Sequence, residues 1–296
     1  MNNFVTLQSI YEDGSILEEL MRAYPVLLIL SLTLMVSCGG GRNSQSAEVP
    51  ADSLADTLAV DSLADEISAT PMPKAADELF DDFIFNFASN RKLQMERIIF
   101  PLTSYQGTKQ TKITREQWKM DYFFMRQGYY TLLFDNEQHM EVVKDTRLTT
   151  AVVEKIYFNT HSIIQYMFQR PQGAWVLTSI HTIPISQSPN ASFLDFYQHF
   201  ANDKEFQTKS IAATVKFVGP DPDDDFSQME GILTPDTWEA FAPELPGRML
   251  YNITYGTPFK DGNQKIFVLR GIANGLEMEM VFKRKGNGWK LTKFTT

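Results

Sequence analysis

Four histidines, one cysteine and a run of aspartates are the residues here whose side chains stand out chemically. His139, His161, His181 and His199 are scattered along the chain. None begins a His-Glu-x-x-His zinc motif, and neither a Gly-x-Ser-x-Gly nucleophile turn nor a phosphate-cradling glycine loop is present. His161 and His181 flank a hairpin, and strand pairing could bring them together as two metal ligands. His199 stands beside a run of Phe residues and reads as packing. Asp221, Asp223 and Asp225 alternate as in a calcium loop. Phe226, however, occupies the place of the turn glycine, and Ile232 that of the bidentate glutamate. A solvated turn is therefore expected, with no metal and no cofactor.

Cys38 is the only cysteine, which excludes an intrachain disulfide and a cysteine-built zinc site. Its position offers other chemistry. Residues 26–36 form an apolar run of signal-peptide length, too short to span a bilayer. The run leads into Leu34-Met35-Val36-Ser37-Cys38-Gly39, the pattern of a bacterial lipobox, whose Cys is lipidated and becomes the first residue. Met35 departs from the usual Leu. Met21-Arg22 supplies a basic start, whereas Glu12, Asp13, Glu18 and Glu19 do not suit one, so translation is expected to begin at Met21. Residues 1–37 thus read as a signal peptide and 38–76 as a lipidated Cys with a flexible acidic tether rich in Gly, Ser, Ala, Asp and Pro. Ser53, Thr57 and Ser62 each follow Asp and precede Leu, which resembles an O-glycosylation acceptor pattern of Bacteroidetes-type bacteria. Most of the formal charge of -9 lies in these leading segments. The body from Ala75 onward is near neutrality and gives no electrostatic reason to bind nucleic acid.

The elements that must position any site repeat. Phe80, Phe83, Ile84 and Phe87 share the spacing of Phe193, Phe196, Tyr197 and Phe200, one face of a helix in each case. Such aromatic stripes read as core. Thr114 with Gln117, and Thr234 followed by Pro235, look like helix starts, each with a Trp four residues on. Two hairpins then repeat. Ile164, Tyr166 and Phe168 alternate with polar residues before Trp175-Val176-Leu177, and Met278, Met280 and Phe282 do so before Trp289-Lys290-Leu291. The strands before them, 152–158 and 266–272, are more uniformly apolar and are expected to be central. This order predicts an α+β fold of two tandem domains, 77–187 and 190–296, each with N-terminal helices packed on a curved antiparallel sheet.

Helices followed by strands ending in a Gly-containing turn and Trp-x-Leu resemble the nuclear-transport-factor-two-like superfamily, the cone-shaped α+β fold shared with SnoaL-type proteins. With the lipoprotein signal and tether, the chain is similar to a family of Bacteroidetes lipoproteins carrying a domain of unknown function. The resemblance implies a pocket at the open end of a cone, and the superfamily includes isomerases, epoxide hydrolases and members without catalysis. An isomerase-type cone needs a carboxylate and a hydroxyl to hold an oxyanion, and strand position singles out Glu154 and Tyr166. Glu154 on a central strand is costly unless paired, so an edge position or a salt bridge is expected for it. Arg270 raises the same question in the second domain. The first expectation is a non-catalytic envelope lipoprotein, anchored to the outer membrane and binding a small ligand, glycan or protein. The alternatives are an isomerase- or hydrolase-type enzyme with a site in the first cone, and a scaffold whose domains pack as an internal pseudo-dimer. After Cys38 no acidic cluster resembles the surface-export signal of these bacteria, which favours the periplasmic face.

Overall fold

The structure, a computed structural model, describes residues 74–221, 224–256, 262–272, 275–286 and 288–296, all within the compact unit Asp56–Thr296. The expected signal peptide, Cys38 and the tether sites Ser53, Thr57 and Ser62 lie outside the described residues. Helices α1 (Phe80–Ser89) and α2 (Arg91–Arg97) precede strands β1 (Ile98–Gln106), β2 (Lys109–Ile113) and β3 (Tyr129–Phe134). A four-residue helix α3 (Glu137–Met140) leads to β4 (Thr150–Tyr157), β5 (Ser162–Gln169) and β6 (Val176–Pro184). The series then recurs: α4 (Ala191–Asn202), α5 (Lys204–Lys209), β7 (Ile211–Asp221), β8 (Asp224–Leu233), β9 (Met249–Tyr255), β10 (Gln264–Gly271), β11 (Glu277–Lys285) and β12 (Gly288–Thr295). Among the described residues no helix is long and apolar enough to cross a membrane.

The helices form where the apolar spacing places them. Phe80, Phe83, Ile84 and Phe87 are buried on α1, and Phe193, Phe196, Tyr197 and Phe200 on α4. Asn90 and Asp203 cap α2 and α5, each accepting a backbone N–H three residues on at 3.0 Å. The expected helix starts at Thr114 and Thr234 do not propagate. Each closes one turn, in which the backbone N–H of Thr114 donates to Gln117 Oε1 and that of Thr234 to Thr237 Oγ1. One turn fixes several dihedrals for a single bond, and here no apolar stripe follows to extend it.

Instead of two sheets, the twelve strands form one, in the order β2-β1-β6-β5-β4-β9-β3-β10-β11-β12-β7-β8. Reading inward from either edge gives the same sequence of strands in each half, second, first, sixth, fifth, fourth, and then an exchange. Strand β9 lies antiparallel on β4, with Glu154 opposite Asn252. Strand β3 lies antiparallel on β10, with Val268 opposite Leu132. Each third strand thus completes the other half's sheet. The two meet in parallel at the centre, Thr131 beside Asn252 and Leu132 beside Ile253. Parallel neighbours require a long crossover, which the intervening chain supplies.

Because side chains alternate across a strand, the central strands serve two cores, one on each face. On β10, Ile266 and Val268 belong to the first core, and Phe267 and Leu269 to the second. This two-sided burial is why 152–158 and 266–272 are more uniformly apolar than the alternating hairpin strands that follow them. The first core packs α1 against the β5–β6 hairpin, with Phe80 and Trp175 ring centroids 4.9 Å apart and those of Phe87 and Phe168 5.3 Å apart. The second packs α4 against β11–β12, with Phe200 and Phe282 5.1 Å apart and Phe193 and Trp289 5.5 Å apart. Each edge-on ring pair adds about 1 kcal/mol to the burial itself.

One polar device also occurs twice. Gln94 Nε2 donates to the Phe87 carbonyl at 2.9 Å while Gln94 Oε1 accepts from Trp118 Nε1 at 3.1 Å. Gln207 Nε2 donates to the Phe200 carbonyl at 3.1 Å while its Oε1 accepts from Trp238 Nε1 at 3.0 Å. In both halves a buried glutamine latches the loop tryptophan to the end of the aromatic helix.

Candidate functional site

Glu154 and Tyr166 do not form a site together. Their strands are adjacent, but Glu154 stands opposite Gln165 while Tyr166 stands opposite Val153, so the two side chains leave the sheet on opposite faces. Glu154 is on an inner strand rather than an edge, and its partners are amides rather than a cation. Gln165 Nε2 and Asn252 Nδ2 each donate to its carboxyl at 2.9 Å. Burial raises its pKa above the usual carboxylate value, and hydrogen bonds from Gln165, Asn252 and Thr254 partly oppose that rise. Asn252 is itself wholly buried, and its Oδ1 has no partner among the described residues. Arg270 is held in a cross-strand ion pair, Nε to Glu277 Oε2 at 2.8 Å.

Tyr166 meets a carboxylate that sequence reasoning missed. Its hydroxyl donates to Asp121 Oδ2 at 2.8 Å, and Lys155 Nζ reaches the same oxygen at 2.6 Å. Burial, reinforced by the neighbouring Asp121 charge, holds the Tyr166 phenol well above its ordinary pKa. Asp121 is fixed from every side. Its Oδ1 accepts from the Phe123 backbone N–H at 2.8 Å, its own N–H donates to Gln94 Oε1, and its carbonyl accepts from Gln94 Nε2. That bond stabilises Phe123 at a φ of 47°, a left-handed backbone uncommon for so large a residue. A general base needs a free lone pair aimed at substrate, and three donors, the Phe123 N–H, Tyr166 and Lys155, already bond the Asp121 carboxylate. Asp121 lies in a loop outside any periodic pattern. The one signal available was its place three residues after the repeated Trp118.

The remaining candidates separate. His161 is at a turn with φ 46°, and His181 stands opposite Gln165, so the two histidines are not cross-strand neighbours. His181 instead contacts Ser179 Oγ at 3.0 Å and the Tyr105 ring at 4.7 Å. His199 packs on Phe206. Asp221 accepts from Ser227 Oγ at 3.2 Å and stands opposite Asp224 where the β7–β8 hairpin turns. Asp223 and the Asp225 side chain lie outside the described residues. Among the described residues no three His, Cys, Asp or Glu side chains group as a metal site would require.

Both cores are built from aromatic and aliphatic side chains, and the first core also contributes Phe134, Ile253 and Tyr255 to an open cavity. This cavity, of about 580 Å³, opens where the exchanged strands end, lined by residues that include Asp135, His139, Asp145, Arg147, Asn190 and Thr254. Its walls are tied across the exchange. Lys265, almost wholly buried, pairs with Asp135 just beyond β3 and donates to Asn190 Oδ1 at 2.6 Å. The Tyr255 hydroxyl at the end of β9 donates to Asp81 on α1, and burial raises the pKa of both groups. On the rim, Arg147 forks onto Asp145 through Nε and Nη2, each at 2.9 Å. This exposed pair, aided by the Arg147 backbone N–H, holds the Asp145 carboxyl down to about 2. The cavity thus offers both signs of charge, a histidine, and hydroxyl and amide groups around an apolar floor.

Aromatic-striped helices on a large, mostly antiparallel sheet, with hairpins ending in Trp-x-Leu, define an NTF2-like α+β protein. A solved NTF2-like protein from Bacteroides fragilis NCTC 9343 is 46% identical, matches 76% of this chain and 98% of its own, and superposes with a TM-score of 0.69. The chain belongs to the family described as Domain of unknown function (DUF4348), whose model matches residues 59–296. No curated protein matches it.

Proposed function

We propose that this protein is a non-catalytic, ligand-binding lipoprotein of the bacterial envelope. Cys38 carries the lipid, residues 38–76 form the tether with sugar acceptors at Ser53, Thr57 and Ser62, and the body stands on the periplasmic face of the outer membrane. The body derives from one unit copied as 77–187 and 190–296. The observation that carries the binding role is the cavity of about 580 Å³ at the ends of β3 and β9, a size suited to a small molecule. Against catalysis stand the separation of Glu154 from Tyr166 and the commitment of Asp121 to three donors. Native mass spectrometry of protein extracted from its own membranes tests the reading. The expected spectrum carries a lipid mass on Cys38 and a small molecule that denaturation releases. Protein that leaves the membrane unlipidated and empty would contradict it.

A further inference from the structure

We propose a second binding site, for a small ring-bearing anion, on the first half of the sheet away from the exchanged-strand cavity. A depression of about 540 Å³ is lined by Lys119, Asp121, Tyr122, Arg126, Lys155 and Tyr251, with Phe123 and Met249 beneath. It holds three cations and one carboxylate. Asp121 is committed to Lys155 and Tyr166, while Lys119 and Arg126 form no ion pair among the described residues. Arg126 sits over the Tyr122 ring, its Cζ 4.1 Å from the centroid, which holds the guanidinium at the rim.

The inner cation is the less expected one. The Lys155 side chain is only 12% exposed, and its ammonium sits 5.2 to 5.6 Å from the ring centroids of Phe123, Tyr166 and Tyr251. An ammonium has three donors, and Asp121 takes one. The fold does not need this arrangement, because the chain contains the same strand pair without it. In the second half the β10–β11 pair repeats β4–β5. Leu269 there takes the place of Lys155 and Met280 that of Tyr166, and both are buried in the second core. Three residues after Trp238, where the first half has Asp121, stands Phe241, packed on that core. The shared glutamine–tryptophan latch is scaffold, and the cation with its ring cage is peculiar to one half. A ring against Tyr251, with a carboxylate directed at Arg126 and Lys119, satisfies what the depression leaves open.

Acidic sugars and acidic aromatics share this chemistry, and calorimetric titration of the full chain separates them. The probes are glucuronate and 4-hydroxybenzoate, each against its neutral counterpart, glucose and 4-hydroxybenzyl alcohol. At least one acid is expected to bind in the millimolar range or tighter, roughly, and its neutral counterpart at least about tenfold more weakly. The K119Q/R126Q double variant changes two exposed side chains outside both cores. It is expected to weaken the acid about tenfold with an unchanged melting temperature. Neither acid binding, equal binding of acid and neutral form, or full affinity in the double variant would each overturn the proposal.

Discussion

Glu154 is held by the amides of Gln165 and Asn252 and by Thr254, with no cation paired to it among the described residues, and that sets how it answers to pH. A carboxyl whose folded-state pKa lies above its unfolded value holds a proton that the unfolded chain gives up. Its contribution to stability is complete below the ordinary glutamate pKa and is lost as pH rises through the raised value. Glu154→Gln keeps the size, turns one acceptor end into a donor that a turned neighbouring amide can accept, and removes the proton exchange. Urea unfolding across about pH 4 to 8 should show wild-type stability falling relative to the variant as pH rises, the variant being the more stable at the upper end. A wild-type advantage that grows with pH would mean the carboxylate is charged and better paired than its amide neighbours allow. Tyr166 answers differently. Its phenol stays protonated throughout that range, so the phenol itself contributes no slope.

At the scale of the element, the glutamine–tryptophan latch is where the two halves agree most closely. Removing Gln94 leaves the Phe87 carbonyl and Trp118 Nε1 without their partner, and removing Gln207 does the same to Phe200 and Trp238. Gln207→Ala should cost about 3 kcal/mol in chemical denaturation, since it strands two buried or half-buried polar groups, and Gln94→Ala should cost more, since the Asp121 N–H and carbonyl lose their partner as well. Losses at both sites would identify the latch as common scaffold, whereas a loss at one site alone would mark the other as incidental. The helices and hairpins around these latches were legible in the sequence, because Phe spacing on α1 and α4 and alternation on β5 and β11 report burial directly. Gln94 and Gln207 carried no such signal, since a glutamine on a short helix looks like surface until its partners are known. Asp121 was hidden likewise, its partners coming from strands 34 and 45 residues away in sequence. Glu154 was singled out by its strand, but which face it takes relative to Tyr166 depends on a register that composition does not encode.

For the whole molecule, the exchange of β3 and β9 decides how the body comes apart. Alternation predicts that a strand is buried, yet β3 and β9 would look the same whether each stayed in its own half or crossed to the other. The sequence therefore pointed to the repeated order of elements but not to the single sheet. In that sheet neither half is complete alone, for β4 depends on β9 and β10 on β3. The ties at Lys265 with Asp135 and at Tyr255 with Asp81 fasten each visiting strand to its host. Cutting the chain in the segment between β6 and α4, at an engineered protease site near Ser188, should leave two fragments that co-migrate in gel filtration and unfold in one transition. Fragments that separate under native conditions would show the halves to be self-sufficient.

The same crossing bears on folding when the chain emerges with its N-terminus first. When the first half has emerged, its sheet stops at β4 with an open edge and β3 has no host, because β10 is still unmade. The nearest vacancy for β3 is the slot beside β4 that β9 will later claim, so a home-bound pairing is the natural rival of the final one. Release of that early pairing is therefore expected to slow maturation.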